Sequence, residues 1–197
     1  MTTQLKNIST INAFAFAGNA TVTLRSTKTG TRFTFKIQRA KKKSEDQDES
    51  DLPLFVKLLS GPNNADDFVF MGTVFPNAPS TLRGSGKSRI SSCASSFKAF
   101  AWWLKHIGDE RVEVWHEDHC GRCGRTLTVP ESIATGLGPI CAAKSGVDIV
   151  KLAKLEAPAA NFNPIEPGTF GEKSERIPEE QLPDLYDMDP TDQSLFE

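Results

Sequence analysis

The chain has 197 residues, 24% of them charged, and a formal net charge of -2, which is enough material for one domain with a real core plus attached segments. No stretch reaches the roughly 18 consecutive apolar residues of a membrane-spanning helix, and the N-terminal stretch lacks the basic start and apolar core of a secretion signal. A soluble, intracellular protein is therefore expected. Four cysteines are too few for a disulfide scaffold, and the close pair Cys120 and Cys123 suits metal binding in a reducing compartment better.

The net charge conceals an uneven distribution. Residues 1–160 carry 21 Lys and Arg against 15 Asp and Glu, whereas residues 161–197 carry 2 against 10. A mildly basic body that trails an acidic tail is consistent with contact to nucleic acid, with the tail competing for the same surface or docking on a protein.

In chain order, Ile8 to Ala20 is apolar and small, and its pattern fits either a short helix or a first strand. From Val22 to Ile37 the apolar residues Val22, Leu24, Phe33, Phe35 and Ile37 alternate with Thr23, Arg25, Arg32, Thr34 and Lys36 around Lys28-Thr29-Gly30. Period-two alternation on both sides of a turn predicts a β-hairpin with one apolar and one cationic face. Ala40 to Asp51 is charge-dense with almost nothing to bury, and is expected to be a flexible loop. Leu54–Leu59 and Phe68–Phe75 form a second hairpin, apolar on both faces as in the middle of a covered sheet.

Residues Pro76 to Arg89 are rich in Pro, Gly and Ser and read as a mobile basic loop. Within it Gly84-Ser-Gly-Lys87-Ser88 imitates part of a phosphate-binding P-loop, but position 81 is Thr where the pattern needs glycine. Phosphate-backbone contact through Arg83, Lys87 and Arg89 is the better expectation there. A helix is expected from Ser95 or Ser96 to about Ile107, ending at Gly108, with Phe97, Phe100, Leu104 and Ile107 on its apolar face. Its opposite face gathers Lys98, Trp102, Lys105 and His106, an aromatic among cations that suits base stacking or phosphate contact. Arg111 to Trp115 reads as a short strand, a helix follows Cys141 to about Leu155, and the Pro- and acid-rich remainder reads as extended or disordered.

The strongest signal is the run WHEDHCGRCGRTLTVPESIATGLGPICAAK. Cys120 and Cys123 enclose a two-residue turn that aims both thiolates at one ion, and Cys141 follows a glycine-rich turn at a helix start. Thiolate-rich tetrahedral sites favour zinc. His116, separated by three residues from the Cys120–Cys123 pair, is the expected fourth ligand. His119, Cys93 and His106 are the alternatives. Four protein ligands close such a site and make it structural.

The string Cys120-Gly-Arg-Cys123-Gly-Arg-Thr-Leu-Thr-Val-Pro-Glu-Ser, followed by Gly136-Leu-Gly-Pro-Ile-Cys141, resembles the signature of a bacteriophage-encoded zinc-binding family of unknown function. The pieces Ala17-Gly-Asn-Ala-Thr-Val-Thr-Leu, Ser60-Gly-Pro-Asn, Lys87-Ser-Arg-Ile and Phe100-Ala-Trp-Trp are similar to phage proteins that bear it. The resemblance implies a phage protein in the cytoplasm of an infected bacterium, and it carries no established activity. A treble-clef zinc finger takes two ligands from its helix start, and this chain has Lys144 where the second would stand.

These features combine into an α+β expectation: an antiparallel sheet of about four to five strands with one packed helix over residues 1–110, an appended zinc knuckle over 111–156, and an acidic tail over 157–197. No Ser-His-Asp or Cys-His arrangement stands out, and Asp66 and Asp67 read as turn residues, so a non-enzymatic role is expected. Nucleic acid is the expected partner, through Arg25, Arg32, Lys36, Arg83, Lys87, Arg89, Lys98, Trp102 and Lys105. The competing expectation is a module that inhibits or redirects a host defence or transcription factor through the knuckle and the acidic tail.

Overall fold

The structure is a computed structural model that describes residues 2–63 and 66–156. The acidic tail expected at 157–197 lies outside the described residues. Among the described residues, seven strands form one antiparallel sheet in the order β1-β7-β2-β3-β4-β5-β6. They are β1 (Thr3–Leu5), β2 (Asn19–Ser26), β3 (Arg32–Arg39), β4 (Leu54–Leu59), β5 (Phe68–Phe75), β6 (Ala78–Arg83) and β7 (Val112–His116). Helix α1 (Ile8–Ala15) connects β1 to β2, and α2 (Ser95–Lys105) connects β6 to β7. Three short helices follow: α3 (Pro130–Thr135), α4 (Pro139–Lys144) and α5 (Ile149–Glu156). The α+β architecture is as expected, with more strands than the pattern announced.

Alternation decides which side of the sheet is dry. Ala20, Val22 and Leu24 on β2, Phe35 and Ile37 on β3, Leu54, Val56 and Leu58 on β4, and Val114 on β7 share one core with Phe14 of α1 and Phe97, Phe100, Trp103 and Leu104 of α2. The Phe35 and Phe100 rings lie 4.8 Å apart, and Phe100 and Trp103 5.4 Å apart, so α2 is seated on the middle of the sheet. The residues between them in sequence stay partly or fully exposed: Thr21, Thr23 and Arg25 on β2, Arg32, Thr34 and Lys36 on β3, Glu113 and Trp115 on β7. Antiparallel sheets tolerate such a wet face, because every backbone group is already paired within the ladder.

Several segments depart from their sequence patterns. The basic loop expected after Pro76 contains β6, an edge strand with Pro79 in it, where a missing N–H costs no ladder bond. The Ala40–Asp51 segment, expected to be flexible, is held at its C-terminal end. Arg39 Nη1 donates to the Glu49 carbonyl and its Nη2 to that of Phe16, both at 2.7 Å, while Arg122 forms an ion pair with the Glu49 carboxylate. Helix α2 starts one residue after Ala94, which offers no side-chain cap. The single helix expected after Cys141 is two, α4 and α5, separated at Ser145 and Gly146. Asp67 and Asp66 each accept from Asn63 (2.9 Å from its N–H, 3.2 Å from its amide), as turn residues should.

Phe100 is fully buried between α2 and β3. Phe100→Ala should therefore cost about 3–5 kcal/mol of unfolding free energy, as for other large core truncations. Urea titration followed by far-UV circular dichroism measures it.

Candidate metal centre

Strand β7 ends at His116 and the chain turns at once into a small hairpin. Leu127 N–H donates to the Asp118 carbonyl at 2.8 Å, Cys120 N–H to Arg125 at 2.8 Å, and His119 pairs with Thr126. Cys120 and Cys123 sit at the tip of this hairpin, and the turn closes through Gly124 N–H to the Cys120 carbonyl at 2.8 Å. Cys141 arrives from the first turn of α4, behind Gly138 and Pro139.

The hairpin is not free-standing. Gly121 N–H donates to the Gly136 carbonyl at 2.9 Å, and Asn19 N–H to the Gly121 carbonyl at 2.7 Å, which ties the knuckle to the α3–α4 turn and to the start of β2. Phe14 of α1 fills the space beneath. A Cβ on Gly121 would come within 2.7 Å of the Phe14 ring, and one on Gly136, whose φ is +70°, within 2.4 Å. Both glycines are required by this close approach, and Gly136 also by its left-handed backbone. Ala17, Cys120, Leu127, Leu137 and Ala142 complete a small core of their own.

The Sγ atoms of Cys120, Cys123 and Cys141 all lie within 4.8 Å of one another. Three bonds of about 2.3 Å to one tetrahedral ion would place them about 3.8 Å apart, so the group can hold a metal ion with movements of tenths of an ångström. Burial pushes the Cys120 thiol up, but N–H donors from Gly138 (3.5 Å to Sγ), Cys123 and Arg122 outweigh it, and the net shift is downward. Cys141 is pushed up to about 12 by burial and by its two neighbouring cysteines. Thiolates gathered this closely oppose one another's ionisation, and a bound cation relieves that opposition.

His116 is not part of this group, and neither is His119. His116, expected as the fourth ligand, points into the core with Val114, while Glu113 and Trp115 point out. The His116 imidazole is 1% exposed and packs 5.0 Å from the Phe14 ring. Desolvation holds its pKa below the ordinary value against the pull of Asp118. His119 is exposed, and its Nδ1 meets the Glu117 carbonyl. Cys93 is exposed ahead of α2, and His106 stacks on Trp102.

The nine residues expected to meet nucleic acid are not brought to one place. Arg25 and Arg32 line an open cleft of about 880 Å³ on the wet face of the sheet, and Lys36 lines an adjoining hollow. Arg83 lies over Phe75 at the β6 edge, Lys87 and Arg89 are exposed in the segment before α2, and Lys98 and Lys105 are exposed on α2. Trp102 is half-buried against the core, stacked on His106 at 4.3 Å and covered by the Arg111 guanidinium at 4.8 Å. The P-loop-like segment is structural, since Ser88 Oγ donates to the Met71 carbonyl at 2.8 Å. Trp115, which also lines the cleft, carried no sequence signal beyond its strand alternation.

Residues 113–146 match a family of unknown function, DUF6011. The matched span runs from β7 to the end of α4 and holds the three clustered cysteines. No curated protein and no solved structure matches the chain.

Metal analysis of the purified protein should return about one ion per chain, lost together with thermal stability in Cys120→Ser and Cys141→Ser and retained in His116→Phe. Retention of the ion by either serine variant would move the site elsewhere. The same His116→Phe variant tests the buried imidazole. A folded-state pKa below the unfolded one stabilises the fold above about pH 6.5, and this contribution is lost as the pH falls toward the folded value. The melting temperature of the wild type should therefore drop more steeply than that of His116→Phe as the pH is lowered from about 7 to 5.

Proposed function

We propose that this chain is a non-enzymatic bacteriophage accessory protein that works in the cytoplasm of the infected host and contacts nucleic acid, with a structural zinc ion held by Cys120, Cys123 and Cys141. Zinc is favoured over other metals by an all-thiolate donor set and by its lack of redox chemistry in a reducing compartment. The phage assignment rests on the resemblance of the cysteine–glycine signature.

The observation that supports nucleic-acid contact best is the wet face of the sheet. Arg25 and Arg32 are register partners on β2 and β3, and Lys36 follows on the same face of β3. They stand beside Trp115 and Phe68, which line the same cleft and its neighbour. Guanidinium and ammonium groups interleaved with aromatic rings on a paired, rigid sheet combine phosphate attraction with stacking surface.

A second reading, docking on a host protein, is supported by the exposed apolar residues beside the knuckle. Ile140 is 71% exposed and Val129 50% exposed, at the starts of α4 and α3. On that reading Ile140→Glu removes the partner and leaves nucleic-acid binding untouched.

Binding of fluorescent oligonucleotides, followed by anisotropy, should weaken steeply as salt rises, because counterions are released from the phosphates. The triple variant Arg25→Gln, Arg32→Gln, Lys36→Gln should lose at least about tenfold in affinity and show a shallower salt slope. Absence of salt-dependent binding to DNA and RNA in any form would sink the nucleic-acid reading.

A further inference from the structure

Trp115 is a partly buried aromatic residue on the wet face of the sheet. It sits on β7 facing away from the core, opposite Thr23 on one side and Gln4 on the other. Its indole N–H donates to Glu113 Oε2 at 3.2 Å, and the same oxygen lies 3.5 Å from Arg25 Nη1. A single carboxylate thus fixes the aromatic ring and the cation relative to each other.

The charge across this row is unbalanced. Glu113 pairs with Arg25 in the ladder, and Arg25 pairs with Arg32. Like charges placed directly opposite on a sheet repel, and one carboxylate at the end of a row with two guanidiniums leaves a net positive edge on the cleft. The Arg25 side chain is 53% exposed and so available to an anion. Between the arginines and Glu117 at the far end, the floor is neutral: the Thr23 and Thr34 hydroxyls are hydrogen-bonded to each other at 2.8 Å. The cleft, about 880 Å³, has room for a nucleotide. Beyond Thr34 the adjoining hollow offers the Phe68 ring with the Lys36 ammonium 5.4 Å above it.

We infer that this cleft takes an unpaired nucleotide of a single-stranded nucleic acid, with its base stacked on Trp115 and its phosphate held by Arg25 and Arg32. The inference rests on the nucleic-acid reading and narrows it, because only an unstacked base can offer its ring face to an indole. Bases inside a duplex are already stacked on each other. Glu113 acts as a positioning residue that holds both recognition groups. The hollow at Lys36 and Phe68 continues the path for the neighbouring nucleotide.

The test compares a short single-stranded oligonucleotide with the blunt duplex of the same sequence, by anisotropy at low salt. The single strand should bind at least about tenfold more tightly than the duplex. Trp115→Ala should lose about tenfold for the single strand with its salt slope unchanged, and Trp115→Phe should recover most of that loss. Arg25→Gln should instead make the slope shallower by about one. Thermal unfolding and metal content of each variant show whether it is folded, and the single-strand preference together with Arg25→Gln carries the test should Trp115→Ala fail to fold. Equal affinity for duplex and single strand, or Trp115→Ala and Arg25→Gln variants that bind the single strand as the wild type does, would overturn the inference and leave nucleic-acid contact standing. Loss of all salt-dependent binding would remove both.

Discussion

The pairing of β7 between β1 and β2 is the constraint on which the rest of the molecule depends. Five residues satisfy three demands there. Val114 and His116 close the core, Glu113 and Trp115 furnish the wet face, and the strand's end launches the hairpin that carries Cys120 and Cys123. Because side chains on a strand alternate strictly, shifting β7 by one residue would exchange the first two sets and re-aim the third. Pairing on both sides, Val22 opposite His116 on β2 and Leu5 opposite Val114 on β1, is what prevents the shift.

Phe14 transmits that order to the cysteines. Its ring touches the His116 imidazole on one side of the molecule and leaves no room for a side chain at Gly121 or Gly136 on the other. The knuckle is therefore packed against a helix that itself belongs to the sheet's core. Its own buried set of Ala17, Cys120, Leu127, Leu137 and Ala142 is small, too small to order about 30 residues against their conformational entropy. A structural metal ion held by the three cysteines would contribute on the order of 10 kcal/mol to such a segment, which is the scale needed. Glu156 adds a clasp at the other end, where its carboxylate accepts the N–H groups of Lys6 and Asn7 at 2.9 and 2.8 Å.

Local periodicity made part of this legible in the sequence. The strands at Leu54–Leu59 and Phe68–Phe75 coincide with their apolar runs, and Phe97, Phe100 and Leu104 are buried on α2 as their spacing requires. The three cysteines converge as the Cys-x2-Cys spacing and the glycine turn indicated. What escaped was set by partners far away in sequence. Strand β1 has three residues and exists because β7 offers it an edge, and β6 is a strand despite Pro79 because it lies at the border of the sheet. The spacing of His116 from Cys120 suited a ligand, but ladder register turned that ring inward. Trp102 suited an exposed platform by helical angle alone, and His106 and Arg111 occupy it instead.

The two faces of the sheet answer to different physics. The covered face is apolar and interlocked, so its identity follows from burial. The wet face has no packing to specify it, so the residues there answer to what they meet outside. Here two arginines oppose each other across the ladder, and one glutamate is shared between an arginine and an indole. That arrangement sets a fixed aromatic ring beside a pair of like charges that repel across the ladder, a local electrostatic cost that the anionic partner proposed above would offset. The cysteine cluster and the wet face are thus linked through one short strand, whose pairing with β1 and β2 sets the register that aims the first and exposes the second.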